Sequence, residues 1–241
     1  MVKNLIKKSL IPLKNLRYDI FKPKARRFLH EKMPYYSQWE SREMVDGLIA
    51  GKQKAEDDPK WRLSGAKNKL EYINWSWNTC GITCLQMILS YLKNTKIPLV
   101  GLAKRSMAYG VFKLDKGAFA KGDYLKSLDG LFYQPFLEFI DQEFDLKGRI
   151  ISPMVLGEII KELSLHNFVM ASVGGSIRDL ATKNAFKGGH LVLVVGYDLD
   201  KAVLYLHNPS GLFQKSQEYA EVSFQDFARF FDNKGIVINR P

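Results

Sequence analysis

The 241-residue sequence predicts an α+β fold, on three observations. Apolar residues at helical spacing (Leu85, Ile88, Leu89 and Leu92) mark a buried helix in the first half. Runs rich in Val, Leu and Ile at 168–173, 191–197 and 202–206 read as strands, and they come late. Helices first and most strands afterwards argue against alternating βαβ units. A content of 46% hydrophobic and 12% aromatic residues is enough for a buried core.

The N-terminal stretch stands apart in charge. The chain carries a formal +11, and residues 1–30 hold nine Lys and Arg against the single acid Asp19. That leaves a nearly balanced body, so the expected organisation is a basic arm at 1–30 and one domain at 31–241. Such an arm is either a solvated tail or an electrostatic attachment to a polyanion. Leu5, Ile6, Leu10, Ile11, Leu13, Leu16, Ile20 and Phe21 lie among the lysines, which favours an anionic membrane surface over nucleic acid. The lysines and the lack of a small-residue cleavage site make it a poor signal peptide. No apolar run approaches the ~20 residues that span a bilayer. The expected location is the cytoplasm, peripheral at the membrane face.

The elements follow in order. Met33-Pro34-Tyr35-Tyr36-Ser37-Gln38-Trp39 reads as an extended segment opening the body. Residues 43–70 are polar, with turns at Asp57-Asp58-Pro59 and Ser64-Gly65. The aromatics Tyr72, Trp75 and Trp77 follow. Asn78 and Thr79 are N-cap types, which places Cys80 in the first turn of the buried helix. Ser152-Pro153 opens a further helix running to about residue 165. The two strands at 191–197 and 202–206 are joined by the turn 198–201. Ser223-Phe224-Gln225-Asp226 looks like a capped start of a Phe-rich helix, and 235–238 like a last strand.

Only two cysteines occur, Cys80 and Cys84, too few for a disulfide scaffold. On one helix their i,i+4 spacing starts ~5–6 Å apart at Cβ, wider than a disulfide accepts. With the histidines they match no common zinc pattern, so no metal or cofactor is expected. A helix N-terminus favours a thiolate, as does a neighbouring imidazole. Of the four histidines, His30 lies at the arm boundary and His166 at a helix end. His190 follows Gly188-Gly189 and begins a strand; His207 ends the paired strand. A hairpin centred near Leu199 sets His190 opposite Asn208 and turns His207 to the other face. The Asn oxygen would then fix the imidazole tautomer and aim the ring at Cys80. A one-residue slip would promote His207 instead.

Four segments in order carry a family resemblance: Pro34-Tyr35-Tyr36-Ser37-Gln38, Cys80-Gly81-Ile82-Thr83-Cys84-Leu85-Gln86, Gly189-His190-Leu191-Val192, and His207-Asn208-Pro209-Ser210-Gly211. With them the sequence resembles the cysteine peptidases that process bacteriocin leader peptides, and their wider peptidase C39-like relatives. The resemblance implies a papain-like fold, its nucleophile-bearing helix packed on a mainly antiparallel sheet. It implies Cys80 as nucleophile, His190 as general base, Asn208 in the third catalytic position and Gln38 as oxyanion donor, with Cys84 non-catalytic. Asn replaces the family's commoner Asp at 208, and the gap from Gln38 to Cys80 is long, which suggests an insert beside the cleft. The implied activity is cleavage of a peptide bond in a peptide or protein through a thioester. A catalytically silent peptide-binding module and an acyl or peptidyl transferase are the alternatives.

Overall fold

The computed structural model describes residues 23–124 and 126–241. The described chain runs β1 (Arg27–Leu29), α1 (Val45–Ile49), α2 (Lys69–Ser76), α3 (Cys80–Lys93), α4 (Leu99–Met107), β2 (Lys113–Leu114), α5 (Lys116–Ala120), β3 (Leu128–Asp129) and α6 (Tyr133–Phe144). Then follow β4 (Gly148–Ile151), α7 (Leu156–Ser164), β5 (Phe168–Gly174), β6 (Gly189–Asp198), β7 (Val203–His207), β8 (Ala220–Ser223), α8 (Phe224–Phe230) and β9 (Phe231–Ile238). After β1 the expected order holds: the longest helix, α3, precedes strands β4–β9 of the sheet.

That sheet has seven strands in the order β4-β9-β5-β6-β7-β8, with β1 also on β6, and every pairing is antiparallel. Alternation along the central strands feeds a core on each face. Met170, Leu191, Leu193 and Val195 pack with Ile82, Leu85, Ile88 and Leu89 of α3 and with Phe136 and Phe139 of α6. Val169, Ala171, Val192 and Val194 pack on the other face with Ile159 and Ile160 of α7 and Phe227 of α8. Helix α3 is long and almost wholly apolar because its side rests on β6 while its ends meet loops. Its C-terminus stops at Asn94, in the left-handed conformation that Asn tolerates.

Three sequence expectations change. The arm does not extend to residue 30: Arg27–Leu29 form β1, pairing Phe28 with Tyr197 and Leu29 with Gly196. The His30 amide also donates to the Val195 carbonyl (2.8 Å). β1 fills the part of the β6 edge that β5 leaves open, a need for backbone partners that charge composition does not report. Gly196 lets it approach, since a Cβ there would lie 2.5 Å from the Phe28 carbonyl oxygen. Residues 1–22 of the arm lie outside the described residues. The helix foreseen from Ser152-Pro153 starts later, at Leu156, because 148–151 are taken into the sheet as β4. Finally, Thr79 occupies the N-cap position of α3 but makes no side-chain capping bond.

The long stretch after Gln38 forms its own small core, in which Trp39, Val45, Leu48, Trp61 and Tyr72 are buried together. At its centre lies buried Asp58. It accepts from the Ser41 hydroxyl (2.6 Å), the Ser41 amide (3.0 Å), the Lys60 amide (2.8 Å) and the Tyr72 hydroxyl. A buried carboxylate with four donors is well compensated, so this insert has a fixed shape. Trp75 is core, edge-on to Phe112 at 5.5 Å, and Trp77 packs edge-on to Trp39 at 5.0 Å.

Candidate active site

Cys80 is the first residue of α3, partly buried, and its backbone belongs to the turn whose amides have no intrahelical acceptor. The uncapped Thr79 leaves those amides to whatever sits beside the thiol. Gly81 is small for a reason. A Cβ there would meet Leu191 Cδ1 at 2.9 Å and Leu131 Cδ1 at 2.6 Å. Its contact with Leu191 sets the start of α3 against the residue that follows His190. One turn on, the Cys84 thiol faces the Leu191 carbonyl (3.7 Å), fully buried and well raised in pKa by burial.

His190 lies at the start of β6, buried, after two glycines with left-handed backbone (Gly188 φ +80°, Gly189 φ +82°). Its Nε2 is 2.8 Å from Asn208 Oδ1. The amide oxygen is the atom facing the ring, because the Ser210 amide donates to the same Oδ1 (3.2 Å). An oxygen can only accept, so Nε2 carries the proton and Nδ1 is the basic nitrogen. Ser210 Oγ stands 3.3 Å from the same Nε2.

The predicted partner is present, yet the register that predicted it is not. In the hairpin Leu193 pairs with His207, and a bulge between Val194 and Gly196 shifts the ladder. Carried back along β6, this alignment sets His190 opposite Ser210, with Asn208 one pair along the same face. The Asn side chain bridges the difference. Alternation does turn His207 away from His190, as expected. His207 is fully buried between Tyr35 (5.6 Å) and Tyr219 (4.5 Å).

The segment Pro34–Gln38 reaches the site from the far end of the chain and clasps the Asn208-Pro209 backbone. Tyr35 OH donates to the Asn208 carbonyl (2.9 Å), Ser37 Oγ to the Pro209 carbonyl (3.1 Å), and the Gln38 amide to the same Pro209 carbonyl (2.9 Å). The Gln38 side chain is buried and its Nε2 donates to the Ser76 carbonyl (2.9 Å), four residues before Cys80. This bond uses one of the two amide hydrogens, leaving the second for another acceptor.

Electrostatics alter one expectation. Burial pushes the Cys80 thiol up, while the backbone amides of Leu191, Gly81 and Cys80 and the charge of Arg178 oppose it. His190 is lowered to about 4, chiefly by burial, against the Asn208 hydrogen bond, with Arg178 adding to the lowering. Both shifts favour the uncharged pair. Burial thus works against the primed thiolate that a helix N-terminus alone suggests. Helix position is legible from sequence, whereas desolvation is not.

Two residues at the site were given no role by the sequence reading. Ser210 enters through the register shift. Arg178 ends the 3-10 turn Gly175–Arg178 after β5 and donates from Nη2 to Ser210 Oγ (2.9 Å). No local sequence pattern pointed to this arginine. No cluster of His, Cys, Asp and Glu suited to a metal occurs among the described residues.

No curated protein matches the chain. A solved structure from Bacillus anthracis, provisionally described as a C39-like peptidase, is similar to it: TM-score 0.53 at 14% identity, covering 89% of this chain and 98% of that one. At that identity the likeness speaks to fold, and it agrees with the antiparallel sheet and flanking helices found here. The family model described as Peptidase C39 like family matches residues 66–236, which include α3, β5–β8 and most of β9. On that match, which covers well over half its length, this chain belongs to the peptidase C39-like family.

Proposed function

We propose that the protein is a cysteine peptidase that cleaves a peptide or protein substrate through a thioester on Cys80. One observation carries the reading: Asn208 Oδ1 holds His190 Nε2 at 2.8 Å and so leaves Nδ1 as the base. The N-terminus of α3 packs on the next residue, Leu191. In this mechanism Nδ1 takes the Cys80 proton as sulfur attacks the scissile carbonyl. The oxyanion is received by the Cys80 amide and the second hydrogen of Gln38 Nε2. His190 then passes the proton to the leaving amine, and water, activated by the same nitrogen, hydrolyses the thioester. A lowered His190 pKa suits this sequence, since the base must start unprotonated. Mass spectrometry of a proteome digested with wild-type protein and with Cys80→Ala tests it. New peptide termini should appear only with wild type; identical termini in both would refute the assignment.

We also propose that the basic N-terminal arm attaches the protein peripherally to an anionic membrane face from the cytoplasmic side. Its support is the lysine-rich, apolar-interleaved sequence; no helix among the described residues is long and apolar enough to cross a membrane. Because Ala25 and Arg26 already bond to Tyr197 and Leu199, a truncation must stop at residue 22. Removing 1–22 should abolish binding to phosphatidylserine vesicles, and binding by the full chain should weaken with salt. Salt-independent binding would exclude electrostatic attachment.

A further inference from the structure

We infer that Arg178 is a binding site for a substrate carboxylate lying next to the scissile bond. This rests on the assignment of Cys80 as nucleophile and adds to it the chemical class of substrate.

The guanidinium is only partly exposed, yet among the described residues no carboxylate pairs with it. Its one hydrogen-bond partner is the neutral Ser210 hydroxyl, and its Nε is buried without an acceptor. A desolvated cation left with an unused N–H is costly in a folded protein unless an anion arrives to complete it. The fork geometry of Arg suits a carboxylate.

The group is held in place rather than swinging in solvent. The guanidinium lies against Gly175, where a Cβ would be 3.2 Å from Nη2. Ser216 Oγ donates to the Arg178 carbonyl (2.8 Å), and Arg229 donates to the Leu180 and Thr182 carbonyls just beyond. Through Ser210 the cation is one hydrogen bond removed from His190 Nε2. Its charge is felt by both Cys80 and His190. An anion bound at this guanidinium would lie beside the Ser210 hydroxyl that stands against the His190 ring. A cation serving only the thiolate would not need to leave its Nε without an acceptor. The carboxylate that fits is either the C-terminal group of a peptide or an Asp or Glu side chain adjacent to the cleaved bond.

Two alkylating reagents separate this role from a general effect on the thiol. Iodoacetate and iodoacetamide react alike: sulfur displaces iodide, one S–C bond forming as the C–I bond breaks. They differ in the charge placed beside Cys80. Iodoacetate should modify Cys80 roughly tenfold faster relative to iodoacetamide than it modifies glutathione. Arg178→Gln should return the ratio to the glutathione value, and Arg178→Lys, which keeps charge without the fork, should retain part of it. Loss of thiolate stabilisation would slow both reagents equally and leave the ratio unchanged. An unchanged ratio in Arg178→Gln, or no iodoacetate preference in the wild type, overturns the proposal. Failure of iodoacetamide to prefer Cys80 over Cys84 would instead count against Cys80 as nucleophile. Blocked peptides then identify the source of the carboxylate by protecting Cys80 from iodoacetamide. Protection by a free C-terminus marks an exposed chain end, and protection by an amidated peptide with internal Glu marks an acidic side chain. If neither protects better than an amidated peptide without acids, the proposal is also overturned. Should the Gln variant not fold, the wild-type ratio, the Lys variant and peptide protection decide.

Discussion

His190→Ala is expected to cut turnover by about a hundred- to ten-thousandfold, the range lost when a positioned acid–base is removed. Nothing else at the site can replace it: His207 is sealed between Tyr35 and Tyr219, and His30 lies on the Asn167 carbonyl (3.1 Å). The pH profile gives a sharper test than the loss itself. His190 must be unprotonated to accept the Cys80 proton, and its pKa is lowered to about 4. The rate should therefore climb as pH rises through about 4 and stay high through neutrality, until the raised Cys80 thiol itself ionises at alkaline pH. Asn208→Ala removes the bond that supports the imidazolium, so the acid limb should move lower, with a rate loss milder than that of His190→Ala. Asn208→Asp places a carboxylate at the same nitrogen and should move the limb up. Opposite displacements identify Asn208 as the residue that holds the imidazole. Identical profiles for both variants, or a folded His190→Ala of full activity, would remove the pair from the mechanism. His207→Ala, by contrast, should leave the acid limb where it is.

The second large effect is on stability in acid. His30 and His190 are lowered to about 4 and His207 to about 3, all chiefly by burial. An unfolded histidine takes up its proton near pH 6.5. Between that pH and the folded values, the unfolded chain binds protons that the native chain refuses. Stability is thus fully present above about 6.5 and is lost as pH falls. At pH 5 each histidine would cost about 2 kcal/mol, from ~1.4 kcal/mol per pKa unit. Three of them approach the whole stability of a typical domain. Urea unfolding should show a midpoint that drops steeply between pH 7 and 5, above the range where most carboxylates titrate. His207→Phe keeps an aromatic ring between the two tyrosines and removes one titrating group whose ring nitrogens lack hydrogen-bond partners. It should recover about a third of the loss while changing little at pH 7. A variant with the same pH slope as wild type would show that His207 is not a source of the acid sensitivity.

Desolvation at the site bears on how the thiol is to be detected. Raised by burial, Cys80 should label slowly at pH 6–7 and faster as pH rises. That differs from a thiolate-imidazolium pair, which reacts well in mild acid. A substrate carboxylate at Arg178 would partly neutralise the one cation acting on His190, making the base a little stronger once substrate is bound.

The sequence alone determined what is local. Helical spacing through Leu85, Ile88 and Leu89, with Cys80 at its start, gives α3 directly, because burial on one face imposes that period. The apolar runs around 169–173, 191–197 and 203–206 likewise announce strands, and Ser223 caps α8 as its motif foretold, accepting from the Asp226 amide (3.0 Å). The His190–Asn208 contact was expected from a hairpin centred near Leu199; the observed register differs, and the Asn208 side chain makes the contact. Tertiary structure decided the rest. The turn lies further along the chain than Leu199, since Asp198 pairs with Val203, and the bulge after Val194 shifts the ladder by one residue, which together set Ser210 in line with His190. Arg27–Leu29, at the end of the basic stretch, became a strand because β6 had an unpaired edge. The thiol pKa was raised because desolvation depends on every segment packed around it, and Arg178 came to the site through contacts with a loop more than thirty residues away.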